Sequence, residues 1–240
     1  GKVISHQIAR WNQQQGLDFE ATVVMLPTDM EYPYDVPDNI ICLRTSMVSY
    51  KRRPQDIAMP LPHLSWEESM PPSSNGSVGF CGVPNNISRR RLLGFLQNQE
   101  VETNFIFRDR FWGRIREHST PIEVERMRLE YEHNMLNNTF VVCSRGAGNY
   151  SIRFYETLRA GRIPILLDTD MVFPLQDEIE YDSIIICEKT PEALLLTLQE
   201  WVEHRDLIAI QKECRRIWEE YLYFPKFLGH LPALIQQILS

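Results

Sequence analysis

The stretch from Thr139 to Leu167 constrains the fold more than any other part of this 240-residue sequence. Two apolar runs, Thr139–Cys143 and Ile163–Leu167, flank the helix-like segment Ser151–Ala160, which ends at Gly161. Apolar runs of this length are typical of strands buried on both faces, and glycine commonly follows the last residue of a helix. We therefore predict a β-strand, an α-helix and a second parallel β-strand, joined by a right-handed crossover.

The rest of the pattern extends this unit into an α/β protein with a Rossmann-like second domain. Further strands are predicted at Ala21–Leu26, Asn39–Leu43, Val78–Gly82, Phe105–Phe107 and Asp182–Cys187. Helices are predicted at 3–14, Ser88–Gln97, Pro121–Leu136, Pro191–His204, Asp206–Tyr221 and Ala233–Leu239. A proline-rich stretch, Lys51–Ser77, separates the two parts. We expect residues 1–70 to form a short or incomplete N-terminal portion and residues 71–240 to form the second domain.

Composition excludes several classes of protein. No run of about 18 apolar residues occurs, so no membrane-spanning segment is expected. The net charge of −7 argues against broad attraction to nucleic acid or an anionic membrane. Five cysteines without a C-x-x-C pair are expected to be buried free thiols, not a zinc site or a disulfide framework. These features favour a cytoplasmic protein; a lumenal fragment of a longer anchored protein is the alternative. An oligomer is compatible with the sequence.

The turn that follows Cys143 carries the groups that a diphosphate site requires. Gly146 and Gly148 can adopt positive φ and let backbone amides approach a ligand. The following helix presents unpaired N–H groups and the positive end of its dipole. Arg145 and Arg153 add charges that suit phosphate oxygens. Neither a Walker loop nor a G-x-G-x-x-G motif is present, and both an anion site and a purely structural glycine turn fit the pattern.

Other side chains extend this candidate site. Glu156 follows Arg153 by three residues, so the two share a helix face and form either a surface ion pair or a site for phosphate and ribose. The run Arg89–Arg91 begins a helix, where its charge opposes the helix dipole, a cost that a bound anion would offset. A solvated basic face is the alternative. Phe111 and Trp112 are interpreted as core residues and not as a sugar-stacking platform.

These residues carry a family resemblance. The segment CSRGAGNYSIRFYETLRAGRIPILLDTD, followed by FPL and EIEYD, resembles the signature of exostosin-like glycosyltransferases (glycosyltransferase family 47). Members share R-G-x-G-x-x-S-x-R-x-Y-E, then G-x-I-P-V, D-x-D or a similar acidic pair, L-P-F and an acidic-aromatic segment. The match is dense across Phe140–Asp182, and Phe-Pro-Leu replaces Leu-Pro-Phe. It is weaker in GFCGVPNNISRRRLL and TNFIFRDRFWG.

The resemblance implies a GT-B architecture, in which two Rossmann-like domains face each other across a cleft. It implies an inverting, metal-independent transfer of sugar from a nucleotide-sugar, of the UDP type, to a glycan or polysaccharide acceptor. No cofactor, metal ligand or nucleic-acid partner is expected. The alternatives are a non-catalytic nucleotide-sugar-binding subunit and a GDP-sugar-dependent GT-B enzyme. The residues implied in donor binding are Arg90, Ser144, Arg145, Gly146, Gly148, Asn149, Ser151, Arg153 and Glu156.

Acidic residues complete the hypothesis. Asp168 and Asp170 follow a strand, where they either hold hydroxyls of the donor sugar or cap the next turn. Inversion requires a base that deprotonates the acceptor hydroxyl. In this architecture the base usually comes from the N-terminal domain, so Asp29 is the first candidate, with Glu31 and Asp35 behind it. An aspartate in a proline-rich turn is the structural alternative.

Overall fold

Two parallel β-sheets form the framework of the protein. A computed structural model describes residues 22–62 and 71–240. The first sheet has the order β1-β2-β3, with β1 at Thr22–Leu26, β2 at Ile40–Arg44 and β3 at Asp56–Ala58. The second has the order β5-β4-β6-β7-β8, with β4 at Val78–Gly82, β5 at Thr103–Phe107, β6 at Phe140–Val142, β7 at Ile163–Leu167 and β8 at Ile186–Glu188. All strand pairs in both sheets are parallel, which confirms the predicted fold class.

The described residues contain seven α-helices, all of which follow β4 in the chain, and several of them pack against strands of the second sheet. They are α1 (Ile87–Leu96), α2 (Trp112–His118), α3 (Pro121–Leu136), α4 (Ile152–Arg159), α5 (Pro191–His204), α6 (Leu207–Ile217) and α7 (Phe224–Leu239). Single turns lie at Ser49–Lys51 and Tyr181–Ser183, and a π-turn at Trp218–Leu222 joins α6 to α7. In this part of the chain, no helix combines the length and the apolar composition that crossing a membrane requires.

Local signals explain the helices whose bounds were predicted correctly. The α3 helix begins with a proline after Thr120, which exchanges capping hydrogen bonds with Glu123. The α5 helix likewise begins with a proline, after Thr190, whose hydroxyl accepts from the Ala193 amide. Gly161 adopts φ of 63° after α4, which is the left-handed conformation that glycine accommodates without strain.

Other elements differ from the prediction. The strand β3 and the helix α2 were not predicted. The α1 helix begins at Ile87 because Asn86, and not Ser88, accepts the capping bond from the Arg89 amide. The helix α7 extends over 16 residues despite Pro232. The predicted helix at 3–14 lies outside the described residues. The predicted boundary after residue 70 remains a prediction.

The order of the second sheet creates a switch point between β4 and β6. From β4 the chain passes to β5 on one side, whereas from β6 it continues through β7 and β8 on the other side. Adjacent loops therefore diverge at the carboxyl ends of β4 and β6 and leave a crevice. Open α/β sheets bind ligands at such a crevice.

Aromatic packing explains part of the signature that resembles the glycosyltransferase family. The ring of Phe154, on α4, lies 5.2 Å from Phe173, which in turn stacks on Tyr181 at 4.6 Å. The Tyr181 hydroxyl donates to the carbonyl of Pro174 at 2.8 Å. The Phe-Pro-Leu and acidic-aromatic segments therefore support α4 from within the core.

A buried charge network fixes the loop after β1. The Arg44 side chain donates to Asp56 at 2.7 Å and to the carbonyls of Met30 and Tyr32 at 3.0 and 2.6 Å. Arg53 also donates to Asp56, at 2.9 Å. Because Asp56 is fully buried, its carboxylate requires both guanidinium partners. The network therefore ties the loop to the first sheet.

All five cysteines are free thiols, as predicted. Four of them are buried, and Cys187 is partly exposed. Burial raises the pKa of Cys143 to about 12, so this thiol stays protonated at neutral pH. The cysteines pack as small apolar groups.

We expect Asp56→Ala to destabilise the fold strongly, because it leaves Arg44 and Arg53 without their carboxylate. Loss of one partner from a buried ion pair costs about 3–5 kcal/mol. The matched control is Glu125→Ala, which removes an exposed partner of Arg128 and should leave the stability almost unchanged. The free energy of unfolding in urea measures both. Equal losses in the two variants would contradict the structural role of Asp56.

Candidate functional site

A cleft of about 560 Å³ lies at the switch point of the second sheet. Its lining comes from the loops after β1, β4, β5 and β6, from one side of α3, and from the first turns of α1, α2 and α4. The volume is in the range of small-molecule sites in proteins. The lining contains five arginines, but only three aspartate or glutamate residues. The cleft is therefore a cationic cavity where the topology favours a ligand.

Arg153 lies in this cleft on the first turn of α4. Its guanidinium lies 4.5 Å from the centre of the Phe80 ring and 5.4 Å from that of Tyr131, and it donates to the Cys81 carbonyl at 2.6 Å. Its buried Nε–H makes no hydrogen bond with the described residues. Burial lowers the pKa of Arg153, but Tyr131, Cys143 and other neighbours raise it by more. The net pKa is therefore above the ordinary value, and the guanidinium stays charged.

Arg89 connects the two loops that form the crevice. It donates to the Val83 carbonyl and the Asn85 side chain on one loop, and to the Ser144 and Arg145 carbonyls on the other. These four acceptors are neutral oxygens. Burial, together with the charge of Arg153, lowers the pKa of Arg89 to about 10, which still leaves it protonated at neutral pH.

The predicted donor contact at Arg90 is corrected by this geometry. Arg90 is exposed, donates to the Pro84 carbonyl at 3.1 Å and does not line the cleft. Successive residues of a helix point about 100° apart. When Arg89 faces the crevice, its neighbour therefore points away from it.

Arg145 also lies outside the cleft lining. Its guanidinium pairs with Glu31, from the loop after β1, and makes a long bond of 3.4 Å to the Ala147 carbonyl. Burial lowers the pKa of Arg145. Arg145 therefore connects the loop after β6 to the loop after β1. Glu31, the second candidate base, is held in this ion pair.

The two glycines of the loop do not adopt the positive φ that was expected. Gly146 lines the cleft and has space around it. Gly148 lies too close to the backbone of Asp29 for any side chain. A Cβ at this position would lie 2.8 Å from the Cα atom and 2.9 Å from the carbonyl oxygen of Asp29. The proposed approach of a ligand to Gly148 is therefore corrected, because the backbone of the loop after β1 occupies that space.

Asn149 docks the loop and does not face the cleft. Its amide donates to the Ser46 hydroxyl at 2.8 Å, and its side chain donates to the carbonyls of Met47 and Thr169, both at 2.9 Å. The side chain is fully buried. The predicted role in donor binding is corrected, because these bonds hold the loop against the segments that follow β2 and β7.

The two serines of the segment have different surroundings. Ser144 is buried, its carbonyl accepts from Arg89, and its hydroxyl makes no hydrogen bond with the described residues. Ser151 is the N-cap residue of α4 and lines the cleft, but its hydroxyl makes no capping bond. Of the two, Ser151 is the one placed in the cavity.

Glu156 lies in the cleft and is only 7% exposed. Its carboxylate accepts a hydrogen bond of 2.5 Å from the Tyr131 hydroxyl. The alternative of a solvent-exposed ion pair with Arg153 is therefore wrong. A carboxylate this deeply buried requires hydrogen-bond donors.

Asp168 and Asp170 form a turn outside the cleft lining. The amide of Asp170, which has φ of 56°, donates to the Asp168 carboxylate at 2.8 Å. The Asp170 carbonyl accepts from the amide of Ser49. This geometry favours the turn-capping alternative. Within 22–62 and 71–240, no group of three or more His, Cys, Asp or Glu side chains is arranged to hold a metal ion.

Asp29 lies in the same cavity as Arg153 and Glu156. The Tyr150 hydroxyl donates to its carboxylate, and burial together with this interaction raises the pKa of Tyr150 to about 12. The structure thus brings the first candidate base together with the cationic site. Asp35 is exposed and does not line the cleft.

Several lining residues were not predicted. Phe111 and Trp112 are 55% and 39% exposed at the cleft, so their interpretation as core residues was wrong. Arg89 was visible only as part of an arginine run. Tyr131 carried no local signal, because its position above Glu156 depends on the packing of α3.

The fold and the cleft define an α/β protein with a cationic cleft at a sheet switch point. The family model "Exostosin GT47 domain" matches residues 2–200, and the chain belongs to this family. The resemblance stated from the sequence is thereby confirmed.

Individual relatives match a shorter segment. The chain is 30% identical over 101 residues to an Exostosin-1 homolog of Caenorhabditis elegans, covering 40% of this chain and 25% of the relative. It is 33% identical over 97 residues to Exostosin-1 of Drosophila melanogaster, covering 39% of this chain and 12% of the relative. The matched segments thus span a quarter or less of these proteins. A structure of S. aureus TarM with fondaparinux, alpha-GlcNAc-glycerol and UDP superposes with a TM-score of 0.48 and 14% identity, over 84% of this chain and 40% of that chain.

We expect Gly148→Ala to destabilise the protein by about 1–3 kcal/mol, because the added methyl group collides with the backbone of Asp29. The control is Gly94→Ala in α1, where a Cβ meets no atom of the described residues within 4 Å outside the backbone of its own helix. That change should be neutral or stabilise by up to about 1 kcal/mol. Urea unfolding compares the two variants. A Gly148→Ala protein as stable as the control would contradict the close approach.

Proposed function

We propose that this chain is a glycosyltransferase domain that binds a UDP-sugar in the cleft and transfers the sugar, with inversion, to a hydroxyl group of a glycan acceptor. The observation that carries the proposal is the set of three arginines, Arg89, Arg108 and Arg153. Each brings a buried Nε–H without a hydrogen-bond partner among the described residues to the same cleft.

An anion is the ligand that such a cavity favours. Arg108 forms an ion pair with Glu130 at 3.1 Å, whereas the hydrogen-bond acceptors of Arg89 and Arg153 are neutral oxygens. Guanidinium groups with little exposure to water are stabilised by an anion that forms charge-assisted hydrogen bonds. The first turn of α4 adds free N–H groups and the positive end of its dipole. A diphosphate matches both features.

In this proposal, Glu156 binds the nucleoside. Glu156 lies one helical turn further along α4, and its carboxylate can accept hydrogen bonds from ribose hydroxyls. The preference for UDP comes from the resemblance of the R-G-x-G-x-x-S-x-R-x-Y-E segment to exostosin-like enzymes. The lining around Phe111 and Trp112 offers flat apolar surfaces to a ring of the ligand.

The transfer itself requires a base and a stabilised leaving group. The acceptor oxygen forms a bond to the anomeric carbon while the bond from that carbon to the diphosphate oxygen breaks, which inverts the configuration. Asp29 takes the proton of the acceptor hydroxyl, and the diphosphate leaves with the electron pair. Arg89, Arg153 and the first turn of α4 stabilise its charge, so the proposed reaction does not require a metal ion.

Arg153→Gln is expected to weaken UDP binding by about 10- to 100-fold, because it removes a charged donor from the cleft. The control is Arg91→Gln, on the exposed side of α1. Isothermal titration with UDP measures both variants, and thermal unfolding verifies that they are folded. Equal affinities of the wild type and Arg153→Gln would contradict the diphosphate site. Stronger binding of GDP than of UDP would favour the GDP-sugar alternative.

Asp29→Asn is expected to abolish sugar transfer and slow donor hydrolysis at least about 100-fold, while UDP affinity changes little. The amide keeps the size of the side chain but does not accept a proton. Release of UDP from a panel of UDP-sugars, with and without EDTA, measures turnover and its metal independence. If the wild type binds UDP tightly but releases none, the non-catalytic subunit is favoured. Full activity of Asp29→Asn would eliminate Asp29 as the base.

A further inference from the structure

We propose that Tyr131 positions the donor-binding pair Arg153 and Glu156, with its ring acting on the first and its hydroxyl on the second. Tyr131 is then a positioning residue, because it acts through two other side chains. The inference rests on the proposed function, since it takes Arg153 as the diphosphate contact and Glu156 as the ribose contact. It adds a residue from α3, outside the segment that resembles the family signature.

The ring of Tyr131 contacts the guanidinium of Arg153. The Arg153 Cζ atom lies 5.4 Å from the ring centre, within the distance of a cation–π interaction. Phe80 supplies a second ring at 4.5 Å. Among the described residues, one guanidinium nitrogen bonds to a carbonyl, that of Cys81, and the two rings add cation–π contacts to this side chain.

The hydroxyl of Tyr131 contacts the other member of the pair. It donates to Oε2 of Glu156 at 2.5 Å. Burial and the carboxylate of Glu156 raise the pKa of Tyr131 well above 10, so the phenol keeps its proton at physiological pH. Tyr131 is therefore always the donor and Glu156 the acceptor, which orients the carboxylate toward ligand hydroxyl groups.

The helix that carries Tyr131 is itself anchored to the sheet. The side chain of Asn134, one turn later, donates to the Asn104 carbonyl at 2.8 Å. On the preceding turn, the Met127 carbonyl accepts a hydrogen bond from Arg108. These bonds hold α3 against β5 and the residue that follows it, so the backbone that carries Tyr131 is fixed relative to the sheet.

The two contacts of Tyr131 can be separated with three probes. UDP requires both the arginines and Glu156, 2′,3′-dideoxy-UDP lacks the ribose hydroxyls, and inorganic pyrophosphate requires the arginines alone. Tyr131→Phe keeps the ring and removes the hydroxyl. We expect it to bind UDP about tenfold more weakly, as for loss of a hydrogen bond to a charged group, and to bind the other two probes within about twofold of wild type.

Tyr131→Leu removes the ring as well, and we expect all three probes to bind more weakly. The control is Tyr221→Phe, because Tyr221 stacks on His230 and does not line the cleft. This variant should bind all three probes as the wild type does. Isothermal titration measures affinity, and thermal unfolding verifies that each variant is folded. If Tyr131 had a merely structural role, Tyr131→Phe would bind all three probes more weakly by the same factor.

The outcomes distinguish this inference from the proposed function. If the wild type binds none of the three probes, both are overturned. If the wild type binds UDP and pyrophosphate, but Tyr131→Phe loses no affinity or loses it equally for all probes, only the positioning role is overturned. A loss confined to UDP supports it.

Discussion

Two cationic side chains at the switch point, Arg89 and Arg153, impose the constraint on which the rest of the site depends. A guanidinium withdrawn from water is costly unless its charge and its N–H groups are satisfied. Loop carbonyls and aromatic rings meet part of that requirement, and an anionic ligand would meet the rest. The carbonyls that Arg89 uses belong to both loops of the crevice. The same interaction therefore shapes the cavity and gives it its charge.

The sequence predicted those parts of the fold whose signals are local. Ile163–Leu167, Pro121–Leu136 and Pro191–His204 have the predicted bounds, because apolar continuity, capping residues and N-terminal prolines act within each element. The strand Asp56–Ala58 has only three residues in a proline-rich stretch. It exists because it pairs with β2 and because Asp56 meets Arg44 there, and both contacts join distant parts of the chain.

The candidate site shows the same division. The glycine turn and the helix start were predictable as a unit, and Arg153 and Glu156 lie in the cleft. The arginine run was identified, but the member that faces the cleft was not. That choice depends on where α1 begins and on which side of it the sheet lies. Tyr131 could not be inferred at all, because its role arises only when α3 packs beside α4.

The loop after β6 has two structural tasks, which explains why only some of its residues face the cleft. Gly148 and Asn149 bring it against the loops of the first sheet, beside Asp29 and Ser46. Its continuation places Arg153 in the cavity. Interpreting every residue of this segment as a donor contact therefore assigns too many of them to the ligand. Gly148 and Asn149 instead hold the loop that carries Asp29 beside the loop that leads to Arg153. The proposed transfer between two bound substrates requires these two side chains to lie in the same cleft.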